Sequence, residues 1–542
     1  FEYEGDTSLG DSMLKSGGEM GLLMVDIPQR YSGMGADKAT IMLVSEKMAA
    51  AGSFAVTHGA QSGIGTLPIV YFGTEEQKQK YLPGLGTGER LTCYCLTEEN
   101  SGSDALAAAT TAVLNDEGTH YIMNGSKQFI TNAGYADMFI IFAKVDGEKF
   151  TCFIVEKEYG GITIGPEEKK MGIKGSSTCQ VVLEDTKVPV ENVLGDIGKG
   201  HVIAFNILNV GRFKLGASSV GGCKIVLQHG VPYTSERHQF SRPLNSFPLI
   251  KRKIADIATA TFLSESMVYR TAGMMDKAIG TLDKSTDDYD LQSVLKVEEF
   301  SIECSIIKVY ATEAMALAAE EGVQMLGGYG YCSEYIMERV YRDERINRIF
   351  EGTNEINRMI IPGMILRKAI KGELPLAKSA MAIADELTSI PSFAEPGEPE
   401  FMEEETKLVA NMKKAAIAAL GIAAQKFGAK LKDEQEILSD ASDMISEAYA
   451  CESALLRILK KAEVDGEEST TAMADMLTPY IHDQIDKIHT LGRNIIAMTL
   501  AGDEMRAMTA GLRRLCKHDA VNRAELHGKI ADRVIESGGY SV

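Results

Sequence analysis

Apolar residues recur at two different periods along this chain, and the places where the period changes divide it. Up to about residue 92 the pattern is helical: 36–51 carries apolar side chains at three- and four-residue steps, and Glu75, Glu76, Gln77 and Lys78 open a run rich in helix formers. Gly84, Gly86 and Gly88 are expected to stop helical order there. From about 93 to 195 the texture changes to short alternating runs, "RLTCYCL", "HYIMNGSKQFI", "MFIIFAKV", "FTCFIVEK" and "STCQVVLEDTKVP". Gly, Asn and Asp turns separate them, which predicts a small antiparallel β domain. The helical period returns from 196 to about 375, with 208–227 and 291–326 as long candidates.

Residues 390–400 contain three prolines and read as a linker. Beyond it Leu408, Met412, Ala415, Ala419, Ala423 and Phe427 fall on one stripe. Ile437, Ala441, Met444, Ala448, Cys451, Leu455 and Ile458 alternate steps of four and three. A further helix is predicted over 472–500, with Pro479 in its first turns or at a kink. The fold class is therefore α+β and mainly α. The expected domains are a truncated helical domain at 1–92, a β domain at 93–195, a second helical domain at 196–375 and a helical extension at 376–542. In the extension the basic segment 506–517, with Met505, Met508, Leu512 and Leu515 interleaved, suits either a membrane surface or packing against the body.

Length and composition narrow the function classes. A chain of 542 residues needs more than one core, and 45% apolar with 24% charged residues is globular. A net charge of −20 without a basic patch argues against nucleic acid. The nine cysteines show no C-x-x-C pair and no zinc-type spacing against histidine, so no metal site is expected. Cys93 and Cys95 share one face of a strand and read as core. No apolar run approaches the roughly 20 residues that cross a bilayer, so a soluble or peripheral protein is expected. The chain opens on Phe1 with acidic residues following, and it reads as part of a longer one.

The candidate chemistry centres on Arg348-Ile349-Phe350-Glu351-Gly352-Thr353-Asn354-Glu355. A carboxylate between apolar Ile349 and Phe350 and a flexible glycine can be desolvated, which makes it a stronger base toward a C–H proton. A solvated glutamate at a helix end is the plainer reading of Glu351 alone. Upstream, Asn100-Ser101-Gly102-Ser103-Asp104 forms a small polar loop after a strand, suited to an anion or a ring heteroatom. The run Gln128-Phe129-Ile130-Thr131 presents an aromatic ring and a hydroxyl together. No strand–G-x-G-x-x-G–helix fingerprint accompanies them, and Gly84, Gly86 and Gly88 precede a strand instead of following one.

Six blocks, "CYCLTEENSGSD", "KQFITNAGYADMFIIFAK", "ILNVGRF", "ERHQFSRPL", "VQMLGGYGY" and "RIFEGTNEI", occur in the order seen in acyl-CoA dehydrogenases. The chain resembles that family over roughly its first 375 residues, and most closely its very-long-chain group, which also carries a C-terminal extension. The resemblance implies an FAD-dependent enzyme that oxidises a fatty acyl-CoA to the trans-2-enoyl-CoA, with electron-transfer flavoprotein as electron acceptor. Glu351 would be the base. Flavin would be held by Tyr94, Leu96, Thr97, Gly102 and Ser103, then by Phe129, Ile130 and Thr131, with Thr131 near the reactive N5 edge and Phe129 over one ring face.

Arg237, Phe240, Gln324, Gly327 and Gly328 match residues reaching the adenosine and pyrophosphate half of a flavin in the neighbouring subunit, which implies at least a homodimer. Thr353 and Glu355 match further cofactor contacts, and Ser103, Arg212 and Phe350 match substrate contacts; for Arg212 a surface role stays open. Two departures stand out: Phe129 replaces the usual Trp, and Glu99 replaces a usual Pro, which is expected to loosen its loop. The stretch 57–65 aligns with the acyl channel, where its small residues either leave a deep slot for long chains or permit close helix packing. An oxygen-using acyl-CoA oxidase and a scaffold protein on the same fold are the competing readings. A bacterial-type cytoplasm or a mitochondrial-matrix-like compartment is the expected location.

Overall fold

The computed structural model describes residues 6–388 and 400–542. The linker expected at 390–400 therefore lies, but for its last residue, outside the described residues. The chain is α+β and mainly helical, in the order helices, sheet, helices. Helices α1 (Leu9–Glu19), α2 (Lys38–Met48), α3 (Ser53–Gly59), α4 (Leu67–Phe72) and α5 (Glu75–Thr87) come first. A capping box starts α5: the Gln77 N–H donates to the Thr74 hydroxyl at 3.3 Å and the Thr74 N–H to Gln77 Oε1 at 3.0 Å. The glycines do not stop this helix where expected. Gly84 and Gly86 lie inside it, and only Gly88, at φ +78°, ends it as a left-handed cap.

The sheet comprises β1 (Thr92–Cys95), β2 (Thr111–Leu114), β3 (His120–Thr131), β4 (Met138–Val145), β5 (Lys149–Glu156), β6 (Ile162–Ile164), β7 (Thr178–Pro189) and β8 (Val193–Leu194). Its order is β6-β7-β3-β2-β4-β5-β8, with β1 also pairing β4. Most pairings are antiparallel, but β1 and β2 each run parallel to β4. Strands β1, β4 and β5 are buried along nearly their whole length, so they are continuous apolar runs where alternation was expected. Cys93 and Cys95 sit in this core beside Phe139, Ile141, Phe153 and Val155.

The helical order then resumes with α6 (Gly200–Glu236), a short hairpin of β9 (His238–Gln239) and β10 (Arg242–Pro243), and α7 (Pro248–Ile279). The long helix expected at 291–326 is two: α8 (Tyr289–Glu298) and α9 (Ser301–Leu326). Between them the Phe300 N–H closes a tightened turn onto the Val297 carbonyl, and the Phe300 carbonyl accepts the first bond of the next helix from Cys304. Then follow α10 (Ile336–Glu344), α11 (Asn354–Ile370), α12 (Leu376–Thr388), α13 (Glu403–Phe427), α14 (Gln435–Asp465), α15 (Thr471–Thr499), α16 (Gly502–Leu515) and α17 (Arg523–Glu536).

Two compact units result. One holds Phe1–Gly222, Thr271–Cys304 and Ser333–Gly352; the other holds Cys223–Arg270, Ser305–Cys332 and Thr353–Val542. Within the second unit α13, α14 and α15 pack on one another, and the apolar stripes of α13 and α14 are buried as their spacing predicts. Pro479 lies inside α15, past its first turn. Met508, Leu512 and Leu515 are buried where α16 meets α12, α13 and α15, so the interleaved apolar residues of this basic segment serve packing.

In the first unit, the side chain of Glu156 at the end of β5 ties the sheet to α5. It accepts from Lys80 at 2.6 Å, Tyr81 at 2.7 Å, Arg90 at 3.0 Å and Tyr159 at 3.0 Å. Burial alone would raise this carboxyl, but the hydrogen bonds outweigh it and hold its pKa at about 2. Glu156→Gln is expected to cost about 1–3 kcal/mol near neutral pH. With the folded value below the unfolded one, the contribution is complete above about 4.3 and fades as pH falls through that value toward the folded one. Urea melts at pH 7 and pH 3 check this: the gap between wild type and variant should narrow at the lower pH.

Candidate functional site

The single-turn helix Arg345–Arg348 stops at Ile349, and α11 begins at Asn354. Between them Glu351 and Gly352 take φ values of +58° and +78°. For a glutamate this left-handed backbone costs about 1–3 kcal/mol and persists only where neighbours enforce it. Arg212 on α6 does so. Its Nε donates to the Glu351 carbonyl at 3.1 Å, while Nη1 donates to Asn209 Oδ1 at 3.0 Å. Burial pushes the guanidinium pKa down, and the nearby Glu351 carboxylate pushes it back up.

Gly211, one residue earlier on α6, provides the seat for the carboxyl group. A methyl group there would lie 2.6 Å from Glu351 Oε2 and 2.7 Å from its Cδ. Glu351 itself is half-buried. Its shelter comes from α6 and not, as expected, from Ile349, which is 48% exposed. The N–H groups of Ile349 and Phe350 both return to the Ile346 carbonyl, and this curl leaves Ile349 on the outside and Phe350 half-buried. Tyr94 of β1 is buried, and its hydroxyl has no hydrogen-bond partner among the described residues. Burial foremost, with the Glu351 charge among lesser causes, pushes the phenol well up, so it stays a neutral donor.

The two segments expected to hold a flavin lie side by side. The Gln128 N–H donates to the Thr97 carbonyl at 2.9 Å. Leu96 and Ile130 are buried, Thr97 and Thr131 half-buried, and Gly102 and Ser103 exposed, with open space where a Gly102 side chain would be. Phe129 presents its ring at 63% exposure from a backbone at φ +59°. A bulky residue in that conformation, aimed outward at a strand end, suits stacking against a planar ring. An orphaned buried hydroxyl, an outward ring and a glycine with room around it fit an isoalloxazine. Glu99 does not free its loop: Glu98 and Ser101 exchange two backbone hydrogen bonds at 3.0 and 3.1 Å.

In the second unit Arg237 and Phe240 belong to the β9–β10 hairpin region, Gln324 to the end of α9, and Gly327 and Gly328 to the 3-10 turn that follows it. All are exposed, Phe240 at 90%. Phe240 and Ser241 have φ of +52° and +61°, a turn usually given to Asn-Gly, and strained residues of this kind cluster at binding sites. The Thr353 hydroxyl caps α11 by accepting from the Ile356 N–H at 3.2 Å, and Glu355 in its first turn is exposed.

Sequence reasoning missed Gly211 and Asn209, whose only signal is a glycine and an amide beside Arg212 within a long apolar helix. Residues 57–65 form the end of α3 followed by a π-helical turn, Ala60–Gly65. Their glycines differ: Gly59 faces open space, a methyl group on Gly63 would lie 3.8 Å from Lys214 Nζ, and one on Gly65 would crowd Thr92 and the Ala60 carbonyl. A cavity of about 350 Å³ opens in the second unit around Asp256, Tyr310, Glu447 and Tyr480, and it is lined by none of the expected site residues.

Four family models match the chain. They are the acyl-CoA dehydrogenase N-terminal domain at residues 2–89, the middle domain at 93–186, and two models each described as the acyl-CoA dehydrogenase C-terminal domain, at 198–365 and 411–514. A probable acyl-CoA dehydrogenase of Bacillus subtilis is 46% identical over 530 residues, covering 98% of this chain and 89% of that protein. The human mitochondrial very long-chain specific acyl-CoA dehydrogenase is 39% identical over 353 residues, 63% of this chain and 51% of that protein. The crystal structure of an acyl-CoA dehydrogenase complexed with FAD from Bacillus anthracis superposes with a TM-score of 0.95 at 48% identity, covering 98% of this chain and 90% of that one.

The tight seat at Gly211 is open to test. Gly211→Ala overpacks the carboxyl group, which should shift it and cost about 1–3 kcal/mol. A urea titration and a crystal structure of the variant check this; an unmoved carboxyl at an unchanged midpoint would mean that the seat is loose.

Proposed function

The chain belongs to the acyl-CoA dehydrogenase family, and from that premise we propose that Glu351 is the base in the α,β-dehydrogenation of a long-chain acyl-CoA. It is an FAD-dependent oxidoreductase acting on acyl-CoA. The observation that carries the assignment of Glu351 is its enforced geometry: a left-handed backbone pinned by buried Arg212, with the carboxyl group on Gly211.

The carboxylate takes a proton from the carbon beside the thioester. Bound FAD supplies the acceptor for the hydride that leaves the β carbon. Substrate entry excludes water from a carboxylate already sheltered by α6, which strengthens it as a base. Charge that develops on the thioester oxygen needs a donor, and the Glu351 N–H is the chain's own candidate. Tyr94, Leu96, Thr97, Gly102, Ser103, Phe129, Ile130 and Thr131 hold the flavin ring and its nearby groups. Ser103, Arg212 and Phe350 border the substrate.

Arg237, Phe240, Gln324, Gly327 and Gly328 serve the cofactor's other half in a homodimer, and Thr353 and Glu355 make further cofactor contacts. The exposure of Phe240 and the strain of its turn support a contact beyond the chain's own fold. Electrons pass to an electron-transfer flavoprotein, in a bacterial-type cytoplasm or a mitochondrial-matrix-like compartment. The long-chain assignment draws on the open space at Gly59.

Long-chain acyl-CoA is expected to bleach the flavin absorbance anaerobically, and Glu351→Gln to retain flavin while slowing the bleaching by roughly 10² to 10⁴. Equal bleaching in both would reject the base. Hydrogen peroxide produced in air at the rate of turnover would instead make the enzyme an oxidase. Across a ladder of acyl-CoAs the rate should peak at long chains; a peak at butyryl would remove the long-chain assignment.

A further inference from the structure

Strand β3 loses register with β7 between Lys127 and Ile130. The irregularity turns Phe129 outward while Lys127 points inward and is fully buried. The ladder resumes with Ile130 opposite Cys179 and Thr131 opposite Thr178, so only Gln128 and Phe129 fall outside it, and this interrupted stretch is fixed from the facing segment. Lys127 makes the link: Nζ donates to Glu98 Oε1 at 2.6 Å and to the Leu96 carbonyl at 3.4 Å. Glu98 accepts in turn from the Ala109 N–H at 2.5 Å, the Thr110 N–H at 3.1 Å and the Thr110 hydroxyl at 2.5 Å.

We propose that the buried Lys127–Glu98 pair is a positioning device that sets the spacing between residues 94–103 and 129–131, and with it the affinity for FAD. This deepens the flavin reading of those segments and rests on it. A surface pair would be screened and would tolerate many geometries. A buried pair with several further hydrogen bonds does not, because displacement leaves a charge unsatisfied in a dry interior. The pair thus fixes Phe129 and Thr131 relative to the 97–103 loop without touching the cofactor.

The test compares FAD dissociation constants of folded apoproteins by fluorescence titration, with circular dichroism and thermal melts alongside. Lys127→Met should weaken FAD binding about ten- to a hundredfold, the scale typical of partners that orient a site. The double variant Glu98→Gln with Lys127→Met carries no unpaired buried charge; it should melt close to wild type yet keep the weakened binding. Lys78→Met is the control. It breaks a comparably buried pair, with Asp290 at 2.8 Å, and should lower the melting temperature while leaving FAD affinity within about twofold. Wild-type affinity in Lys127→Met or in the double variant overturns the proposal, as does equal weakening in Lys78→Met or failure of both Lys127 variants to fold. Wild-type apoprotein that takes up no FAD would instead bring down the flavin reading itself.

Discussion

The hydrogen bond from Arg212 to the Glu351 carbonyl is the constraint around which the site is built. A glutamate in a left-handed conformation relaxes unless something opposes it. A buried guanidinium, itself anchored on Asn209, opposes it from a regular helix. Rigidity is thus borrowed from α6 and applied to a short irregular turn. The same helix supplies the missing side chain at Gly211 that lets the carboxyl group lie against backbone. Two adjacent residues of one helix therefore fix both the main chain and the side chain of the proposed base.

The β domain follows a similar principle. Its central strands are apolar on both faces, which gives a stiff sheet, and function is concentrated where the regular pairing fails. Phe129 is exposed because β3 is bulged there, and a buried ion pair joins the ladder on either side of the bulge in holding it. Strain and buried charge each cost stability locally, and the surrounding core absorbs the cost. That distribution is usual where a site must be shaped before its ligand arrives.

The helix–sheet–helix order was legible because apolar period is a local property. The stripes on α13 and α14 read correctly from spacing alone, since each residue's burial follows from its helix face. Alternation failed in β1, β4 and β5 because burial on both faces erases it. The glycines of α5 misled because a helix tolerates Gly inside when a capping box and tertiary contacts support it. In the site, the motif around Glu351 was visible but its shelter was misassigned to Ile349. The neighbour that matters, Gly211, is 140 positions away in sequence, and no periodicity reports a residue chosen for the atoms it lacks. Lys127 and Glu98 escaped notice for a related reason: separately each looks like an ordinary charged residue, and only their joint burial gives them a role.

The most direct measurement of the central claim is proton exchange at the carbon beside the thioester, isolated from the redox step. A 3-thia acyl-CoA has sulfur where the β carbon would be and has no hydride to give, so only the base acts on it. In deuterated water the wild-type enzyme should exchange its α protons, and Glu351→Gln, with flavin retained, should not. Exchange at the same rate in both proteins would contradict the account.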